Sequence, residues 1–174
     1  VQVWSVPDGA AVGKPLVFPS GLMGVVFSPV GRRVIVGSIN QSQIFDVASG
    51  APIGPVLPGA DMARGAAFSP DGRRLVVIKG QVATVVDAAT ALPVLPPLTH
   101  GGAAQYPTFS VDGRVLSTCS GDGLIRLWSM ETGDLLAEPT FQQPHFTAPV
   151  VARDGTLAVM APDGRQVVAF SAAG

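Results

Sequence analysis

His100, Ser120 and Asp122 supply the three side-chain types of a nucleophilic triad: an alcohol to attack, an imidazole to take its proton and a carboxylate to orient the imidazole. A hydrolase that presents its serine on a sharp turn does so within a G-x-S-x-G motif, and the residues around Ser120 read TCSGDG instead. Cys119 with His100 or His145 would make a thiol dyad, but a cysteine inside an apolar strand is ordinarily inert packing. Asp8, Asp71, Asp112, Asp122, Asp154 and Asp163 all precede glycine. Calcium loops gather several oxygen ligands within a dozen or so residues, whereas these carboxylates are separated by whole strands, so they read as turn residues. With two histidines and one cysteine at no close spacing, the chain offers no zinc-ligand pattern. Nor does a glycine-rich strand-to-helix loop exist to cradle a phosphate. No catalytic residue, metal or cofactor is therefore expected.

The elements that carry these residues recur. FSPVGRRV begins at Phe27, FSPDGRRL at Phe68 and FSVDGRVL at Phe109, each 41 residues from the last, and a worn copy, VARDGTLA, begins at Val151. A second marker keeps the same period: VQVWS ends at Ser5, SQIFD at Asp46, ATVVD at Asp87 and IRLWS at Ser129, in steps of 41, 41 and 42. Glycine punctuates the following turn at Gly9, Gly50, Gly133 and Gly174, with Ala91 in its place once. Segments such as RRVIVGS, RRLVVIK and LIRLW are short, rich in Val, Ile and Leu, and bounded by Asp-Gly, Pro or Gly. They read as strands, and no sustained spacing of three and four marks a helix. One period holds about four such strands joined by tight turns, which is the content of a propeller blade.

Composition narrows the function classes. A chain of 174 residues, 47% hydrophobic and 13% charged, buries a sizeable core. A formal net charge of −1 gives no attraction for nucleic acid. The apolar runs are too short for a membrane helix, and no secretory segment opens the chain. The single cysteine fits a reducing compartment, so a cytoplasmic location is expected. Beginning on Val1, the chain reads as part of something longer.

The repeats resemble those of WD40 β-propellers, best in the copy from LTHGG at Leu98 through TFSVDGRVLSTCSGDGLIRLWS to Ser129. In that family a histidine, a serine or threonine, an aspartate and a tryptophan form a buried hydrogen-bonded chain, and the resemblance assigns those roles to His100, Ser120, Asp122 and Trp128. It assigns no such chain to the first two copies, where no histidine precedes Phe27 or Phe68 and where Phe45 or Val86 replaces tryptophan.

The expected fold is all-β: residues 1–174 as four consecutive four-stranded antiparallel blades, repeats of about 5–46, 47–87, 88–129 and 130–171, forming an arc of a seven- or eight-bladed ring. Val1 to Trp4 reads as the third strand of an earlier blade, with its outer strand near Pro15 to Phe18. Phe27, Phe68 and Phe109 are expected to end innermost strands and pack between blades. Ser-Pro-Asp-Gly then reverses the chain, since proline fixes φ and glycine accepts a positive one.

The resemblance implies a non-catalytic protein–protein interaction scaffold, of the kind appended to larger bacterial signalling proteins, with the remaining blades as neighbours. The alternative is a propeller module of a hydrolase or of a periplasmic transport-assisting protein. Met62, Arg64, Gln105, Tyr106, His145 and Phe146, on loops entering innermost strands, have the interface chemistry that a protein or peptide partner would meet. Arg32, Arg33, Arg73, Arg74 and Arg114 line a rim that reads either as a docking strip for an acidic partner or as charge guarding the hairpins.

Overall fold

A computed structural model describes residues 1–19, 21–59, 65–138, 149–152, 156–160 and 167–170. Every regular element among them is a β-strand. β1 (Val3–Trp4) pairs with β2 (Ala11–Val12). The first four-stranded sheet holds β3 (Gly24–Phe27), β4 (Arg33–Gly37), β5 (Gln41–Asp46) and β6 (Pro52–Pro58). The second holds β7 (Ala66–Phe68), β8 (Arg74–Lys79), β9 (Val82–Asp87) and β10 (Leu98–Thr99), and the third β11 (Ala104–Phe109), β12 (Val115–Ser120), β13 (Ile125–Ser129) and β14 (Leu135–Ala137). The last comprises β15 (Val150–Val151), β16 (Leu157–Met160) and β17 (Val167–Phe170).

Each sheet is an antiparallel meander in chain order, and the chain is a partial β-propeller of four blades preceded by a strand pair. The fourth blade has three strands among the described residues, and one expectation needs correction. The strand beside β1 lies at Ala11–Val12 rather than Pro15 to Phe18, because Gly13, at φ +66°, bulges the chain before Leu16 resumes backbone bonding with Val1. Gly54, 41 residues on, repeats that bulge at φ +62°, and a Cβ there would collide with the Thr90 carbonyl.

Sequence repeats and sheets are staggered. Residues 47–87 contain β6, the outer strand of the first sheet, followed by β7 to β9 of the second. A repeat thus spans two sheets.

The core lies between sheets. Period-two alternation gives each strand two apolar faces: Leu75 and Val77 of β8 pack with Ile35, Ile44 and Leu57 of the first sheet, whereas Val76 and Ile78 pack with Leu116 and Trp128 of the third. Phe68 and Phe109 sit in these layers, 9% and 8% exposed. Phe27 departs from the expectation at 46% exposed, because β1 and β2 reach only the β4–β5 part of the first sheet, where Val1, Val3 and Val12 meet Val34, Val36 and Phe45. The hairpin turns form as their residues dictate: Ser69 donates to Asp71 at 2.6 Å and Ser110 to Asp112 at 2.7 Å. Ala91 accepts φ +57° where the other repeats have glycine.

Candidate functional site

The third sheet holds a buried polar chain. His100 leaves β10 and lies edge-on to the Trp128 ring, 5.4 Å between centroids. Its Nδ1 is 3.1 Å from the Gln81 carbonyl, which can only accept, so Nδ1 carries the proton. Nε2 is then an acceptor, and the Thr118 hydroxyl donates to it at 2.7 Å. Thr118 Oγ1 in turn receives the Trp128 indole N–H at 2.9 Å. One hydroxyl satisfies two buried rings.

The expected role of Ser120 is therefore corrected: Thr118 is the bridging residue. Both belong to β12 and to the same face, but Cα pairing sets Leu116 opposite Trp128 and Thr118 opposite Arg126, which leaves Ser120 beyond the indole's reach near the turn. The Ser120 hydroxyl instead bonds Asp122 and helps hold its carboxyl low. Asp122 also accepts from the amides of Gly101 and Leu124, both at 3.0 Å, and pairs with Arg126 at 2.8 Å. Burial works to raise that carboxyl, but these bonds outweigh it and leave it below its ordinary value. Arg126 continues to Glu138 at 2.7 Å. His100 and Trp128 meet through Thr118, whereas Asp122 bonds Gly101, Leu124 and Arg126 rather than His100, and Ser120 and His100 do not form a nucleophile–base pair. Cys119 faces away, and burial pushes its thiol up to about 12, so no thiolate forms near neutral pH.

Burial, with the nearby Arg126 charge, pulls the His100 imidazole below its ordinary value near 6.5, against the opposing pull of the Gln81 carbonyl and Asp122. The unfolded chain takes up that proton first, so this contribution to stability is full above about pH 6.5 and declines as pH falls below it. The urea midpoint is expected to drop between pH 7.5 and pH 5. In His100→Gln the midpoint should already be lower at pH 7.5 and should change less over the interval; an equal change in both proteins would assign the effect elsewhere.

The second candidate is a surface. Register places Gly24, Gly37, Gln41 and Pro58 at one end of the first sheet, and Phe27, Arg33, Asp46 and Pro52 at the other. At the first end, Met23, Ile39, Ile78, Lys79, Ala104 and Gln105 line a depression of about 420 Å³ across three sheets. Met23 and Ile39 are exposed there, and Lys79 is the one charged lining residue among those described. Tyr106 follows Gln105 at φ +54°, in a bulge that shifts the β11–β12 register. Met62, Arg64, His145 and Phe146 lie outside the described residues. Ile39 was not singled out from the sequence; its signal is an apolar residue in a Ser-Ile-Asn turn that any polar residue would serve, and it is exposed.

The opposite end is charged. A groove of about 640 Å³ between the β7–β8 and β11–β12 turns carries Arg73 and Arg114 beside Asp71, Asp112 and Glu131, a balanced lining rather than a basic strip. Two of the arginines are clips between sheets: Arg33 bonds the Gly72 carbonyl at 3.4 Å, and Arg74 bonds the Met130 carbonyl. Among the described residues no cluster of three His, Cys, Asp or Glu could hold a metal, and no helix is long and apolar enough to cross a membrane.

Comparison with known proteins bears on the third sheet and on the fold. Residues 103–129 match the family model of the WD domain, G-beta repeat, and this segment contains Thr118, Asp122 and Trp128. No curated protein matches the chain. Among solved structures it is similar to the computationally designed Ika8 protein, with a TM-score of 0.80 and 21% identity over 98% of this chain. The chain spans 52% of the length of that protein.

Proposed function

We propose that this chain, an arc of propeller blades with a WD40 repeat at residues 103–129, is a non-catalytic scaffold that binds a protein or peptide partner across the ends of its sheets. The observation that carries this reading is the contrast between the two ends. One presents Met23, Ile39 and Gln105 around a shallow, charge-poor depression; the other is lined by charges of both signs and by turns that interlock through Arg33 and Arg74. A surface that exposes isoleucine and methionine against solvent loses free energy unless something covers it, roughly 25 cal/mol per Å² of apolar area. Tyr106 fits the same reading, since a non-glycine residue at positive φ stores strain that partner-facing loops commonly carry. Gln105 and Tyr106 are assigned to this face. The single cysteine supports a cytoplasmic setting, and the resemblance of the repeats supports a place in a larger bacterial signalling protein.

Selection of a phage-displayed random peptide library on the immobilised protein tests the proposal. Enriched peptides should be apolar, and calorimetric binding of a synthetic winner should be lost in Ile39→Asp and kept in Arg73→Gln. Winners that are acidic and depend on Arg73 would move the site to the charged rim and overturn this assignment.

A further inference from the structure

The packing of residues 16–19 on the first sheet differs in kind from the polar chain of the third. Three buried leucines, Leu16, Leu57 and Leu98, stand at one position of the repeat, so Phe18, Gly59 and His100, each two residues further on, are equivalent. Register makes Gln43, Thr84 and Arg126 equivalent as well, opposite Val36, Val77 and Thr118. In the third sheet His100, Thr118 and Trp128 bond to one another, and Arg126 is tied to Asp122 and Glu138. At the first sheet Phe18, Val36 and Phe45 take the places of that trio and pack as apolar groups. Beside them opens a cavity of about 420 Å³, walled by Val17, Phe18, Phe45, Pro52 and Val56. These belong to the segment after β2 and to β5 and β6; among the described lining residues none belongs to β1.

Gln41 and Gln43 are the polar side chains of this lining, and no charged group lies among its described residues. Gln43 is 7% exposed, and its amide is oriented: Nε2 donates to the carbonyl of Ile53 at 2.8 Å and to those of Ile44 and Gly54, both at 3.3 Å. An amide nitrogen carries two hydrogens, so its donating capacity is spent. Oε1 can only accept, and nothing among the described residues donates to it. That oxygen is not sealed from solvent, so it opens on the cavity that its side chain lines. The repeat does not demand the amide, since Thr84 and Arg126 occupy the position in the other sheets.

We propose that this cavity is a binding site for an uncharged small molecule built on an aromatic ring that carries one N–H or O–H donor. The ring meets the phenyl groups of Phe18 and Phe45 and the aliphatic wall, and its donor bonds Gln43 Oε1. The volume suits such a ligand, since cavities of about 300–1,000 Å³ take small molecules. An ionised ligand does not fit, because it would give up hydration and find no counter-charge in the described lining. A free molecule fits better than an extended peptide: Pro52, Pro55 and Pro58 remove from β6 the N–H groups that would hold a peptide along its edge.

An NMR titration of the isotopically labelled protein with indole tests this, with 1-methylindole as the probe that lacks the donor. Indole should bind saturably and shift the Gln43 side-chain amide resonance. The methylated probe should bind about 2- to 10-fold more weakly, the worth of one hydrogen bond. Gln43→Leu should bind both probes equally. Because that change also removes the bonds to β6, Val56→Asp supplies a second arm: the residue is 60% exposed, so the fold should persist, while a carboxylate in the wall should weaken indole binding about tenfold. Absence of saturable indole binding overturns the proposal, as does equal affinity of the unaltered protein for both probes or undiminished binding by Val56→Asp. A tryptophan-containing hexapeptide that competes with indole for the same residues and binds far more tightly would make a partner's side chain the occupant, and would overturn the assignment to a free molecule.

Discussion

Thr118→Val should lower the free energy of unfolding by about 2–6 kcal/mol, the largest loss expected from a single polar substitution among the described residues. Valine keeps the shape but leaves both His100 Nε2 and the Trp128 indole N–H buried without a partner. Each orphaned group costs about 1–3 kcal/mol, because neither can regain the water it lost on folding. Thr118→Ser keeps the bridging oxygen and gives up one methyl, about 0.8 kcal/mol. Ser120→Ala removes a bond to a carboxylate that still has Gly101, Leu124 and Arg126, so its cost should be the smaller. Urea denaturation of the three variants gives the order directly. Were Ser120→Ala as damaging as Thr118→Val, the shared oxygen would have to belong to Ser120.

A comparable loss is expected in the apolar layers. Phe109→Ala and Phe68→Ala should each cost about 3–5 kcal/mol, the range for emptying a packed aromatic site between elements that cannot collapse onto it. Phe27→Ala, at the same position of the repeat, should cost about 1 kcal/mol or less, since nearly half of its surface already meets water. Denaturant midpoints for the three alanine variants test this, and equal losses would mean that Phe27 is covered in solution.

These contrasts mark what the sequence could and could not disclose. Strand content, hairpin turns and the 41-residue period were legible because each is local: Phe, Ser-Pro-Asp-Gly and a β-branched run dictate strand, reversal, strand wherever they occur. Burial of a given copy was not local. Phe27 and Phe68 sit in almost the same motif and differ only in what lies against them. The polar chain was half legible. His100, Asp122 and Trp128 stand out by residue type, but Thr118 and Ser120 share one face of β12, and only the pairing of Leu116 with Trp128 selects between them. Tyr106 gave no warning of φ +54°, because a bulky side chain at a positive φ is uncommon and nothing in its residue type favours one.

The stagger between repeats and sheets bears on how such a chain can grow. A unit of 41 residues carries the outer strand of one sheet and the first three strands of the next, so an in-frame duplication inserts a piece whose leading strand closes the sheet before it and whose trailing strands await closure by the following unit. Every copied unit arrives already stitched to its neighbour, and blade number can change by whole steps without leaving a seam of unpaired backbone inside the array. Copies whose boundaries coincided with sheets would be joined only by side-chain packing and a linker. Here inheritance by duplication and mechanical continuity are served by the same offset, and sequences as different as the INQS, KGQ and SGD turns could diverge afterwards without dismantling the frame.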